Sequence, residues 1–211
     1  AAEPAVTTVE GLERRTWVMK DVPARPREPF APGWRDDTPW LDVSTVAGWG
    51  DVARWYAGLS DGPSQADPRV EARAKQLTTG DFSREAVLRR IYAFVTDEVA
   101  YENLNFQYSA LVPASAPAVL EALYGDCKDK VCLLRSMLAS LDIPAWFVLV
   151  SPGSEGVSPY LPSPRFTHAI LAVESSPGRL MFLDPTARGI PFGALPASLE
   201  GCPALVVRQG E

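Results

Sequence analysis

One histidine in 211 residues is the scarcity that shapes everything this chain could do. His168 and three dispersed cysteines, Cys127, Cys132 and Cys202, supply too few ligands at useful spacing for a metal centre, and no CxxC pair is present. Nor can three cysteines build a disulfide framework. At least one thiol stays free, and although a Cys132–Cys202 bridge is open, both residues read more simply as small buried apolar side chains. No cofactor is expected. No apolar run approaches the roughly 20 residues that span a bilayer, and the opening AAEPAVTTVE lacks the charged and apolar regions of a signal peptide. Positive charge is also short. Twenty basic residues face 26 acidic ones for a net charge of −6, with no basic run, so nucleic acid is an unexpected partner. Because the chain begins at Ala1 rather than methionine, a processed form or an excised piece is expected, and the compartment stays open.

What the chain does have is a 46% hydrophobic composition, enough for one principal domain. The expected division is residues 1–40 as an N-terminal strand with a proline-rich connector, and 41–211 as the core domain. Residues 11–20 read as a strand that either joins the main sheet or remains from a preceding β domain. Pro23, Pro26, Pro29, Pro32 and Pro39 make Val22–Trp40 an extended connector. Helices are predicted from the spacing of Trp49, Val52, Tyr56 and Leu59, from the Asp67-Pro68 start, and from Ser83 ahead of Val87, Ile91, Phe94 and Val95. A short helix near Ala116–Leu123 precedes a strongly apolar one that begins at Cys127 and ends at Asp142-Ile143-Pro144. Strands follow at Ala145–Val150, Phe166–Glu174, Arg179–Asp184 and Ala204–Val207, the second and third apolar on both faces as central strands are. Helices first and an antiparallel sheet after them make the α+β class, with the cysteine helix packed on the sheet.

Tyr124-Gly125-Asp126-Cys127-Lys128-Asp129-Lys130 places a thiol at a helix start. Gly125 allows a tight turn, and Asp126 and Asp129 have the spacing of a capping box. In the first turn the unpaired amides and the positive end of the macrodipole favour a thiolate, and Lys128 and Lys130 add positive potential. A hairpin folded about Ser175-Ser176-Pro177-Gly178 would make His168 and Asp184 cross-strand neighbours on one face. An imidazole beside a carboxylate is the base-and-orienter half of a catalytic triad, and Cys127 packed over that face would complete it.

Gly125-Asp126-Cys127-Lys128-Asp129-Lys130, Leu133-Leu134, Ile143-Pro144-Ala145, Thr167-His168-Ala169 and Leu183-Asp184-Pro185-Thr186, in that order, resemble the bacterial transglutaminase-like superfamily over roughly residues 80–190. The resemblance implies a papain-like fold with Cys127, His168 and Asp184 as its triad. It implies cysteine-dependent acyl transfer through a thioester on a protein or peptide substrate, as hydrolase or as amine-transferring transglutaminase. Trp34–Gly58 is similar to a linker that follows a β-rich domain of unknown function in such bacterial proteins, which implies a longer, multidomain and often exported protein. For an oxyanion hole, the Cys127 N–H is the natural first donor. Gln107, Tyr101 and Tyr108 are candidates for the second, although Gln107 does not match the papain spacing. The Pro- and Gly-rich stretch 152–164 leads directly to His168 and is expected to border the substrate cleft. The alternative to an enzyme is a non-catalytic binding or scaffold module with the same fold.

Overall fold

The computed structural model describes residues 3–24, 39–80, 83–103, 111–152, 157–158, 160–176 and 178–208. Most of the proline-rich connector therefore lies outside the described residues, as do Gln107, Tyr108 and part of the stretch before His168.

The predicted N-terminal strand is one arm of a hairpin. Strand β1 (Ala5–Val9) pairs with β2 (Leu12–Thr16), and Glu10 and Gly11, both at positive φ (51° and 80°), form the two-residue turn that such hairpins favour. All ten strand residues are exposed, and the hairpin forms its own two-stranded sheet, apart from the main one.

Three helices follow where the spacing predicts them: α1 (Trp49–Ser60), α2 (Pro68–Leu77) and α3 (Arg84–Ala93). The Asp67 carboxylate accepts from the Arg69 N–H at the start of α2, and Ser83 caps α3. Helix α3 then widens into a π-helical turn, Phe94–Glu98, before the short strand β3 (Ala100–Tyr101). Helix α4 (Ala116–Ala122) ends at Leu123 in the left-handed region (φ 55°), which turns the chain into β4 (Tyr124–Gly125). Strands β3 and β4 pair in parallel, with Tyr101 opposite Gly125.

Helix α5 (Cys127–Ala139) is the hub: ten of its residues are buried, and it packs on β5, β6 and α2–α4. It stops slightly earlier than its sequence suggests. The Ile143 N–H closes back on the Leu138 carbonyl while Asp142 adopts a left-handed φ of 57°, so this local turn ends the helix before Pro144 is reached.

The main sheet is antiparallel in the order β7-β6-β5-β8, from β5 (Ala145–Val150), β6 (His168–Ser176), β7 (Arg179–Leu183) and β8 (Ala204–Val206). Alternation along the strands gives two layers. Phe147, Leu149, Ala169, Leu171 and Val173 face the helices, whereas Val148, Val150, Ile170 and Ala172 meet Leu195, Leu199 and Cys202 on the other side. Helices and sheet thus form the expected α+β architecture. One strand departs from expectation: β7 is an edge strand, only half covered, because nothing pairs beyond it among the described residues. All three cysteines are free thiols, so no Cys132–Cys202 bridge forms; Cys132 is buried against the Ser64 hydroxyl, 3.3 Å from it, and Cys202 is only partly covered. Among the described residues no helix is long and apolar enough to cross a membrane.

Candidate active site

The start of α5 is built from its own sequence neighbours. The Asp126 carboxylate accepts from the N–H groups of Lys128 (3.1 Å) and Asp129 (3.4 Å), and Asp129 returns the favour to the Asp126 N–H at 3.1 Å. That is the predicted capping box. Asp129 also accepts from the Ala114 N–H at 2.8 Å, which ties the segment ahead of α4 to the nucleophile helix. Burial pushes the Asp129 carboxyl up, against the pull of those two amides. Gly125 serves a different purpose from the one its turn suggests. Its φ is not positive, but a Cβ there would lie 2.6 Å from the Asp129 Cβ, so glycine is required for space.

Lys128 and Lys130 also differ from expectation. Both are buried and engaged: Lys128 forms an ion pair with Asp126, and the Lys130 ammonium donates to the carbonyls of Val99 (2.7 Å) and Thr96 (3.3 Å). Lys128 therefore does not present a bare positive charge to Cys127, because Asp126 neutralises it.

His168 and Asp184 come from the sheet. A hairpin folded about Ser176 would set them directly opposite, but the turn lies further along, so that Ser176 faces Arg179; an irregularity between Glu174 and Ser176 then moves the register back by one residue, so that Leu171 faces Leu183 and Val173 faces Met181. Continued outward, this places Asp184 two residues short of His168's partner position. A two-residue offset preserves the face, so the pair meets diagonally. The His168 Nε2–H donates to the Asp184 Oδ2 at 3.0 Å.

Asp184 is 3% exposed, yet it is held ionised. Burial alone would raise its carboxyl; the hydrogen bond and charge of His168, with the Thr186 hydroxyl and N–H at 2.7 and 2.9 Å, hold it below the usual range. For His168, burial opposes protonation. The hydrogen bonds and charges of Asp184 and Cys127 outweigh it and lift the imidazole from 6.5 to about 9. With Nε2 committed to Asp184, Nδ1 is the nitrogen left for the Cys127 side chain, and Cys127 itself is only partly covered. His168 and Asp184 are thus hydrogen-bonded to each other, and the partly covered Cys127 is close enough to raise the imidazole.

Of the oxyanion candidates, Tyr101 lies within the described residues. Its pairing opposite Gly125 puts it one strand spacing from the segment that leads into Cys127. Burial first, then the charges of Cys127, Asp126 and Asp184, raise its phenol, so its hydroxyl keeps its proton. Among the described residues the amides of Asp126, Lys128, Asp129 and Lys130 all find acceptors, while that of Cys127 has none.

Three residues of this neighbourhood carry little or no signal in the sequence. Thr186 could be anticipated from Asp184-Pro185-Thr186, since an aspartate commonly binds the backbone two residues on. The Tyr92 hydroxyl, which donates to the Asp184 main-chain carbonyl at 2.8 Å, and the Lys130 ammonium reach across long stretches of chain and have no local signature.

The model of the transglutaminase-like superfamily matches residues 71–185, more than half of the chain. No curated protein matches it. Among solved structures, a candidate protease from Parabacteroides distasonis ATCC 8503 superposes with a TM-score of 0.63 at 18% identity, covering 86% of this chain and 35% of its own. A candidate cysteine protease from Cytophaga hutchinsonii is similar at a TM-score of 0.48 and 15% identity, over 83% of this chain and 52% of its own. The chain thus spans about a third of the length of the first and about half that of the second.

Proposed function

Since the chain belongs to the transglutaminase-like superfamily, we propose that it is a cysteine-dependent acyl-transfer enzyme with Cys127 as nucleophile, His168 as acid–base and Asp184 as orienter. The observation that carries this reading is the His168 imidazole hydrogen-bonded to a buried Asp184 whose carboxyl is held below the usual range, with the helix-start Cys127 among the groups that raise the imidazole. A scaffold has no use for that arrangement.

In the forward step the Cys127 sulfur attacks an amide carbonyl carbon, and the carbonyl oxygen becomes an oxyanion. The Cys127 N–H and the Tyr101 hydroxyl donate to it. The intermediate collapses as His168 gives its Nδ1 proton to the leaving amine, which breaks the C–N bond and leaves a thioester. Water then adds while His168 takes its proton, and the acid leaves with the thiolate restored. Peptide or protein amides are the substrates this reading favours. The likeness to a candidate protease inclines it to hydrolysis over transfer to an amine.

Mixing the protein with p-nitrophenyl acetate tests the reading without a known substrate. The expected result is a burst of p-nitrophenol with one acetyl group located on Cys127 by mass spectrometry, absent in Cys127→Ala and strongly slowed in His168→Ala. Acetylation at Cys132 or Cys202 instead, or no burst at all, sinks it.

A further inference from the structure

Among the described residues Lys130 is the most deeply buried charged side chain: it is 1% exposed and sits one helical turn beyond Cys127. Burial, reinforced by the charge of Arg188, brings its ammonium from 10.5 down to about 8 despite nearby Asp184 and Asp97. An apolar side chain of the same length would fill this space at lower cost. A charge kept here against that cost points to a task, and its contacts name one.

The last carbonyls of any helix lack partners within it. In this chain the π-helical turn after α3 ends under two cations: the Lys130 ammonium donates to the Thr96 and Val99 carbonyls, and the Arg188 guanidinium donates to the Asp97 carbonyl. Val99 is the residue immediately before β3, and β3 carries Tyr101. From there the Ala100 N–H donates to the Leu123 carbonyl at 2.8 Å and the Glu102 N–H to the Gly125 carbonyl at 3.0 Å. Tyr101 is consequently suspended between a grip on Val99, from α5, and a parallel ladder with the residues that lead into α5. One support issues from the helix that bears the nucleophile, the other from the residues that lead into it.

We propose that Lys130 is a positioning residue that fixes Tyr101 relative to Cys127 by gripping the Thr96 and Val99 carbonyls, so that one helix sets the distance between nucleophile and oxyanion donor. The assignment rests on the reading of Tyr101 as that donor. It predicts that Lys130 matters only when a carbonyl oxygen becomes charged. Acylation by p-nitrophenyl acetate builds an oxyanion, whereas alkylation by iodoacetamide displaces iodide at a saturated carbon and builds none. The two rates, measured at Cys127, therefore separate positioning of the donor from general damage to the nucleophile.

In Lys130→Met, acylation should fall about tenfold, the scale of a small misplacement of a catalytic group, while alkylation stays within about twofold of wild type. Tyr101→Phe should show the same split, and Lys130→Met/Tyr101→Phe should be no slower than Tyr101→Phe alone, because both remove one function. If Lys130→Met does not fold, Lys130→Gln, whose amide nitrogen is one bond shorter in reach and cannot hold both carbonyls as the ammonium does, must show the split instead. Acylation and alkylation falling together, acylation unchanged, or additive losses in the double variant each overturn the assignment. A wild type whose Cys127 is never acetylated refutes the triad reading itself, and this inference with it; a wild type that acetylates normally while Lys130→Met does so as fast removes only the role of Lys130.

Discussion

The two halves of the site are made in opposite ways. The nucleophile half is local: Asp126, Lys128 and Asp129 cap, pair with and steady the helix start within a few residues of Cys127, and Gly125 is small so that Asp129 fits. The base half is non-local. His168 and Asp184 belong to different strands, their meeting depends on a hairpin register, and Asp184 is held from behind by Tyr92 of a helix far away in the chain. A local device is specified by residue identity, so it should fail sharply when one identity changes. A device set by register is specified by many residues at once and should yield more gradually.

The largest effect is expected where the local half loses its centre. Asp126→Ala removes the acceptor for two first-turn amides and also leaves Lys128, almost fully buried, without its counter-charge. Loss of an N-cap alone costs about 1 kcal/mol, but stranding a buried charge costs about 3–5 kcal/mol. Urea denaturation should return the larger figure, and adding Lys128→Met should recover much of it. A loss near that of a cap alone would mean that Lys128 finds another partner and that the local half is less self-contained than described.

The same contrast governs what could be read from the sequence. Helix starts with a cap, such as Asp67, Ser83 and Asp126, were legible because their hydrogen bonds stay within three residues. Strand β5 was legible because it is a short apolar run bounded by a left-handed turn and Pro144. Between His168 and Asp184 the sequence supports the shared face but not the offset, since neither the exact position of the turn, which sets Ser176 opposite Arg179, nor the one-residue irregularity beside it carries a signal in the residues it displaces. Coverage of β7 is not legible for a similar reason: whether an apolar strand lies at an edge depends on which other strands pair with it. The tasks of Lys130 and Tyr92 were invisible because their partners are main-chain carbonyls, which every residue has.

The base half makes its own prediction in pH. His168 titrates at about 9 in the folded chain against 6.5 when free, so its contribution to stability is complete below pH 6.5 and is lost as pH rises through about 9. At about 1.4 kcal/mol for each tenfold change in proton affinity, this amounts to roughly 3 kcal/mol. Lys130 runs the other way, its burial penalty easing above about pH 8, so the wild-type curve alone mixes the two. The stability difference between wild type and His168→Asn cancels Lys130 and should shrink steadily from pH 6.5 to 9. A difference that is flat across that range would deny His168 its protonated state beside Asp184.

The smallest effect, and the finest division of the base half, comes from Tyr92→Phe. The Tyr92 hydroxyl donates to the main-chain carbonyl of Asp184 at 2.8 Å, whereas the Asp184 carboxylate is served by His168 and Thr186. Removing the hydroxyl leaves the aromatic packing on Phe192 in place and deletes one buried hydrogen bond, worth about 1 kcal/mol. If the two sets of contacts are independent, stability drops by that amount while the rate of Cys127 acetylation stays within about twofold. Should acetylation fall tenfold with the same small loss of stability, the Asp184 backbone and carboxylate move as one unit. The orienter would then be held by α3 as much as by its own turn, and the base half would depend on contacts even more distant in sequence than the strand register.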